Sequence, residues 1–216
     1  MENESKEFSF LMHERSVKYF ARLDFALKQG RHIQNVDPDR LLYSYCDDYY
    51  KHLQYYYEHL YDVLLEVGVS DMGKYYYLDF KEEGRGKFAG DQRVEPLDEI
   101  SVIIGILLLN LHNESVIRKD NIYSIEEVMD YIFNKEIKDN LLRLLTKADE
   151  TTYYGKDNVD LKAKLRYSLN KFDRLGWVKW IDRSEHMTFE ILPSLERLYL
   201  MYKYEIEHID DFLKEI

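Results

Sequence analysis

Hydrophobic side chains recur at helical spacing along most of the chain, and short aromatic or β-branched runs interrupt this pattern at two places. In the first half, the spacing predicts a helix over residues 15–30 that ends at Gly30, followed by a short extended segment at 31–33. Residues 38–60 are again helical in pattern and crowded with tyrosines. Nothing in the pattern decides whether this second stretch is one helix or two.

Two features delimit the tyrosine-rich stretch. Asp37 and Pro38 are the residue types expected at an N-cap and at the first helical position, so they predict its start. Beyond its end, residues 63–67 and 74–80 are strand-like and flank a turn that contains Gly68 and Gly73. The first half is therefore predicted to end in a β-hairpin.

The second half repeats this order. The predicted elements are a helix over 96–111 with Pro96 at its N-terminus, a short strand at 122–123, a helix that begins at a capping box of residues 124–127, an extra helix over 138–148, and a helix over 161–175. Gly176 follows at once, where a left-handed cap would end the helix. Residues 177–181 and 187–191 then predict a second hairpin.

A helix followed directly by a hairpin is the order found at the end of a winged helix-turn-helix, and this chain contains it twice. We therefore predict a mostly α fold with small β-hairpins (α+β), made of tandem winged-helix domains plus a C-terminal helix. The predicted domains are residues 1–85 and 93–192, and the C-terminal helix spans 193–216. Residues 81–92 contain three glycines and mixed charge, which is typical of a linker.

Composition and charge narrow the function. The chain has a net charge of −11, a single cysteine, Cys46, and a polar N-terminus without the order of a signal peptide. The longest apolar run, 102–109, is too short to span a bilayer. These features predict a cytoplasmic protein with no membrane partner and no disulfide.

The charge of residues 161–183 departs from that of the rest of the chain. This segment holds seven basic side chains and two acidic ones, a net charge of +5, which leaves −16 elsewhere. A basic helix of this kind is typical of phosphate binding, and a solvated helix face is the alternative. The predicted DNA-binding residues are Lys162, Lys164, Arg166, Lys171, Arg174, Lys179 and Arg183. We group Lys164, Tyr167, Lys171 and Arg174 as one stripe, with backbone phosphates as the expected target.

The sequence carries no convincing enzymatic motif. The seven histidines show no two-histidine metal spacing with a carboxylate, and no His-Glu-x-x-His run. Gly86 and Lys87 resemble part of a nucleotide-binding loop, but Phe88 stands where Ser or Thr would bind the metal. We therefore expect no enzyme activity, no catalytic residues, no metal and no cofactor.

Several segments resemble the MukE/MksE family of bacterial SMC complexes. Residues 27–33, Leu-Lys-Gln-Gly-Arg-His-Ile, are similar to its Gly-Arg-His-Ile segment. Residues 161–178 are similar to its recognition helix and the entry to its wing, and residues 97–99 and 76–78 also fit. The match runs in order over most of 18–192.

The resemblance implies a non-catalytic subunit of a MukBEF/MksBEF-like condensin complex that acts in chromosome organisation and segregation. Its implied partners are a kleisin (MukF/MksF-like), an SMC ATPase (MukB/MksB-like), non-specific DNA and a second copy of the chain, in the cytoplasm and on the nucleoid. Two departures weaken the implied DNA contact, because Asp160 and Asp173 stand where basic residues are expected.

Two other functions are also compatible with the sequence. One is a dimeric winged-helix transcription regulator that binds a palindrome, and the other is the equivalent subunit of a Wadjet-like plasmid-defence SMC system. Sequence alone does not separate the two SMC systems from each other.

The predicted linker gives a first test. Limited proteolysis of the native chain should cut first within residues 81–92, because exposed glycine-containing segments between folded domains fit a protease most readily. Mass spectrometry of the first fragments locates the cut. Initial cleavage inside either predicted domain would contradict the domain boundary.

Overall fold

The computed structural model describes residues 8–81, 87, 97–115, 120–135, 138–146 and 159–203. The chain forms two compact units, residues 1–95 and 96–216. Most of the predicted linker, 81–92, lies outside the described residues, as does the C-terminal part of the predicted terminal helix, 204–216.

The first unit has the element order of a winged helix. A 3-10 turn, Ser9–Met12, leads into α1 (Glu14–Lys28), which is followed by β1 (Ile33–Gln34), α2 (Arg40–Asp48), α3 (Tyr50–Tyr61), β2 (Val63–Ser70) and β3 (Gly73–Phe80). The tyrosine-rich stretch is therefore two helices that separate at Tyr49. The three strands form one antiparallel sheet in the order β1-β3-β2.

Tyrosines fill much of the core of the first unit. Tyr45, Tyr57 and Tyr76 are completely buried, among leucines of all three helices. Tyr45 donates a hydrogen bond to Ser16 Oγ at 2.8 Å, and Tyr76 donates one to Asp47 at 2.5 Å. Such partners let a tyrosine bury a large ring while its hydroxyl stays satisfied.

The Gly-Arg-His-Ile segment connects α1 to the sheet. Gly30 adopts a left-handed conformation, with φ 80°, and ends the helix as predicted. The Arg31 guanidinium forms an ion pair with Asp39 at 2.7 Å, and the buried His32 ring stacks on Tyr77. Ile33 then pairs with Tyr76 in the sheet, so this segment has a structural role in the first unit.

The second unit repeats the order. It contains α4 (Glu99–Glu114), β4 (Ile122–Ser124), α5 (Ile125–Phe133), α6 (Lys138–Thr146), α7 (Val159–Leu175), β5 (Val178–Asp182) and β6 (Thr188–Ile191). A 3-10 turn, Pro193–Leu195, leads into α8 (Glu196–Met201). The strands form an antiparallel sheet in the order β4-β6-β5, so α7 and its hairpin are the recognition helix and wing of this unit.

Local capping signals identified in the second half are confirmed. Ser124 and Glu127 form the reciprocal hydrogen bonds of a capping box at the start of α5. Gly176 has φ 75° and ends α7. The Trp177 amide donates to the Phe172 carbonyl at 2.8 Å, as expected after a left-handed cap.

Two local predictions in the first unit are wrong. The second helix begins at Arg40, after an N-cap at Asp39, so Asp37 and Pro38 precede it. Gly68 lies inside β2, and the turn is the shorter Asp71-Met72. Tyr75 lies directly across from Gly68 in the sheet, and its ring occupies the space that a side chain at position 68 would need. A β-carbon at Gly68 would lie 2.0 Å from Tyr75 Cζ, which explains the glycine in this strand.

This close approach predicts the effect of a methyl group. Gly68→Ala should lower the free energy of unfolding by about 1–3 kcal/mol, because the buried Tyr75 ring must move. Urea denaturation measures the change. In a Tyr75→Leu background, Gly68→Ala should no longer lower the free energy of unfolding by this amount, because the ring is absent. If Gly68→Ala lowers the free energy of unfolding equally in the wild-type and Tyr75→Leu backgrounds, the steric explanation is wrong.

Candidate nucleic-acid interface of the second unit

Helix α7 packs on the core of the second unit through one face. Leu161, Leu165, Leu169 and Phe172 are completely buried on this face, at the spacing that the sequence predicts. The face lies against α4, α5 and α6. The opposite face of α7 is available to solvent, and its side chains decide what the helix can bind.

Polar side chains also lie in the contact between α7 and α4. Lys171 is 5% exposed, and its ammonium donates to Asp98 Oδ2 at 2.7 Å. Three residues earlier, the buried hydroxyls of Ser168 and Ser101 lie 3.1 Å apart. Asp98 and Ser101 are also three residues apart on α4. The Lys171–Asp98 and Ser168–Ser101 pairs therefore have the same spacing on both helices, and together they favour this register between α7 and α4.

Asp98 has a second role as the N-cap of α4, where its side chain accepts a hydrogen bond from the Ser101 amide at 2.8 Å. Burial would raise the pKa of this carboxyl, but the hydrogen bonds from Lys171 and Ser101 outweigh that effect and lower its pKa. Burial likewise opposes the charge of Lys171, while contacts with Asp98 and Tyr167 give a net rise of its pKa. Both groups are therefore held in their charged forms.

The structure therefore places the Lys171 ammonium on a carboxylate, away from solvent, and not on the exposed stripe that the sequence pattern predicts. Lys164 also points toward its own unit, where it donates to the Leu145 carbonyl at 2.5 Å and pairs with Asp160 at 3.2 Å. The predicted stripe of Lys164, Tyr167, Lys171 and Arg174 is therefore not one solvent-facing surface.

One cation of the wing, Arg183, forms an ion pair with the recognition helix α7. Arg183 pairs with Asp173 Oδ2 at 2.6 Å, although 57% of its side chain is exposed. Asp173 also accepts a hydrogen bond from the Trp180 amide, and the Trp180 indole donates to Asn170 Oδ1 at 3.1 Å. Asn170 therefore helps to hold the wing on the helix.

The remaining cations form the exposed part of the candidate interface. Arg166 and Arg174 are exposed on α7, Lys162 is half-exposed on the same helix, and Lys179 is half-exposed on β5. The three helical cations fall within about 120° of the helix circumference at 100° per residue. We define Lys162, Arg166, Arg174 and Lys179 as the basic surface.

Helical angle alone does not separate the buried lysine from the exposed cations, because Lys171 lies about 40° from the buried Leu175 and Lys162 about 20° from the buried Leu169. Lys171 differs in its contact with Asp98. Arg166 and Arg174 lie on the far side of the helix. Nothing in the sequence indicates that Asp98 lies beside a lysine 73 residues later.

The basic surface can bind backbone phosphates through charge, without an evident code for base edges.

Among the described residues there is no group of three or more His, Cys, Asp or Glu side chains suited to a metal ion. Within the same residues, no helix has both the length and the hydropathy needed to cross a membrane.

Comparisons with known proteins add a family match. A family model described as condensin complex protein MksE matches residues 18–201. A search of curated proteins gave no match. A solved structure titled "Nse1-Nse3-Nse4 complex" is similar at 18% identity, covering 86% of this chain and 74% of that chain, with a TM-score of 0.37. This structural similarity is too low to support an argument about function.

The ion pair between Lys171 and Asp98 gives a stability prediction. Lys171→Met should lower the free energy of unfolding at pH 7 by about 1–3 kcal/mol, because it leaves the Asp98 carboxylate without its partner. The effect is smaller than for a fully buried pair, since 43% of the Asp98 side chain is exposed. Lys162→Met is the matched control and should change stability by less than about 0.5 kcal/mol.

The same pair predicts a pH dependence. A carboxyl whose pKa is lowered in the folded state stabilises the fold above its unfolded pKa, and this stabilisation is lost as the pH falls through the folded pKa. The difference between wild type and Lys171→Met should therefore shrink below about pH 4. Urea denaturation at pH 7 and pH 3 tests this, and an unchanged difference would show that the lysine acts through packing alone.

Proposed function

The chain belongs to the MksE family of condensin complex proteins, and on that premise we propose that it is a non-catalytic subunit of a bacterial MksBEF-like SMC complex. In this proposal it binds the kleisin and the SMC ATPase, associates with the nucleoid, and acts in chromosome organisation and segregation. The single observation that carries the proposal is the family match over residues 18–201, which covers most of both winged-helix units.

The fold supports a role in assembly. Each unit is a winged helix with a complete small sheet, and large apolar side chains remain exposed on both. Val17 and Phe25 on α1 are 76% and 65% exposed, and Leu200 on α8 is 65% exposed. Exposed aliphatic and aromatic groups of this kind suit protein interfaces. We propose that they serve a homodimer and the contacts with the two partner subunits.

DNA binding is the second part of the proposal, and the basic surface of the second unit is its site. Four outward cations neutralise few phosphates, and the acidic remainder of the chain opposes approach to DNA. We expect weak, non-specific and salt-dependent binding by the isolated protein. Binding becomes effective when an SMC partner holds the DNA nearby and raises its local concentration.

Isolation of the protein from a native lysate tests the proposed function. The expected result is recovery of a kleisin and an SMC ATPase together with the tagged chain. Absence of both, together with tight binding to a palindromic operator, would support the transcription regulator. Plasmid-defence genes next to the gene for this chain would identify the plasmid-defence form of the same assembly.

Charge reversal tests the basic surface. Arg166→Glu combined with Arg174→Glu should weaken binding of the assembled complex to duplex DNA by about tenfold at low salt, because two phosphate contacts are lost and replaced by repulsion. Fluorescence anisotropy measures the affinity. Kleisin binding should stay unchanged, because neither side chain belongs to the surfaces proposed for protein contacts.

The matched control is Arg40→Glu with Lys51→Glu, which changes the net charge equally at exposed positions of the first unit on helices other than α1. This control should retain DNA affinity within about twofold. An equal loss in both variants would mean that net charge, rather than the basic surface, governs binding. No loss in the Arg166 and Arg174 variant would mean that these arginines do not contact DNA.

A further inference from the structure

The two wings differ in length and in how their free edges are covered. In the second unit, β5 is an edge strand of five residues, and Asp173 of α7 accepts a hydrogen bond from its central amide, at Trp180. In the first unit, β2 is an edge strand of eight residues. Helix α3 bonds to only part of this longer edge among the described residues.

Helix α3 covers the edge of β2 at Leu65. The Leu65 carbonyl accepts hydrogen bonds from the Tyr50 hydroxyl at 3.2 Å and from the Gln54 amide at 3.3 Å. Both donors belong to α3, so this carbonyl points away from β3 and toward the open side of the sheet. The edge is therefore closed to another chain at Leu65.

The register shows which groups lie beyond the closed part. Ser70 pairs with Gly73 across a two-residue turn, and such a closing pair is hydrogen-bonded within the hairpin. Because pairs alternate in an antiparallel ladder, Val67 and Val69 share the orientation of Leu65. Their amides and carbonyls point outward, and no backbone group of the described residues bonds to them.

The side chains around this edge favour an extended partner. Val69 is 74% exposed, whereas Val67 packs on the core and holds the strand in place. The hairpin from Val63 to Phe80 carries three acidic side chains and one basic one, Lys74, which is paired with Asp47 at 2.6 Å. Two copies of this acidic wing would repel each other, while a segment with basic residues would be attracted.

We propose that the outer half of β2, Glu66–Ser70, binds an extended, β-branched segment with flanking basic residues from the kleisin subunit, which adds to the sheet as a fourth strand. Main-chain bonds to Val67 and Val69 supply the pairing, and contact with the exposed Val69 side chain adds to it. This inference rests on the proposed function, because it assigns a surface to the kleisin.

Proline at position 69 tests the pairing. Val69→Pro removes an outward amide that the hairpin does not use, and proline is tolerated at edge positions of this kind. The full-length variant should bind the purified kleisin at least about tenfold more weakly than wild type in calorimetry. Val69→Thr keeps the amide and the strand preference, so it is the matched control and should bind within about threefold.

Hydrogen exchange gives a second measurement that does not depend on a variant. The Val67 and Val69 amides of wild-type protein should exchange fast alone and become protected when the purified kleisin is added. Equal kleisin binding by Val69→Pro and wild type, or no protection of these amides in the bound state, would overturn the inference while leaving the proposed function intact.

Two other outcomes are also decisive. Absence of kleisin binding by the wild-type protein would overturn the proposed function, and this inference with it. Protection of Val67 and Val69 that rises with the concentration of the protein alone would show that a second copy, rather than the kleisin, occupies the edge.

Discussion

The contact between the Lys171 ammonium and the Asp98 carboxylate determines how the second unit presents its recognition helix. Asp98 caps α4 and accepts from Lys171 of α7 at the same time, so a single carboxylate marks the start of one helix and contacts the other. The Ser101 and Ser168 pair continues this contact by one turn. A mismatch in register would leave buried polar groups without partners, which is costly in a protein interior.

The contact between Lys171 and Asp98 also affects which cations of α7 face solvent. Once Lys171 is held in the core and Lys164 is bound to the end of α6, the outward charge of α7 comes from Lys162, Arg166 and Arg174. The wing is tied to the same helix through Asp173 and Asn170, so Lys179 keeps a fixed relation to those cations. In both units, the helix before the hairpin bonds to the edge strand, α3 to β2 and α7 to β5. The units differ in the surface that faces solvent. This surface is a basic helix face in the second unit and the outer part of a strand edge in the first.

Much of this fold follows from sequence, because the determining signals are local. The capping box at Ser124, the left-handed Gly30 and Gly176, and the alternation between helical and strand-like runs each depend on neighbouring residues. Other features depend on distant residues and were missed. The ring of Tyr75 over Gly68 extends a strand through a glycine that otherwise indicates a turn. The burial of Lys171 follows from a carboxylate on another helix, which no pattern within α7 shows.

The salt dependence of DNA binding by the isolated full-length chain tests the account most directly. If only the four cations of the basic surface contact phosphates, the logarithm of the binding constant should fall against the logarithm of salt concentration with a slope of about −3.6 or shallower for each protomer bound. A slope near −6 for each protomer would mean that all seven predicted cations bind phosphate. That result would require Lys171 to leave Asp98, and it would contradict the presentation of α7 described above.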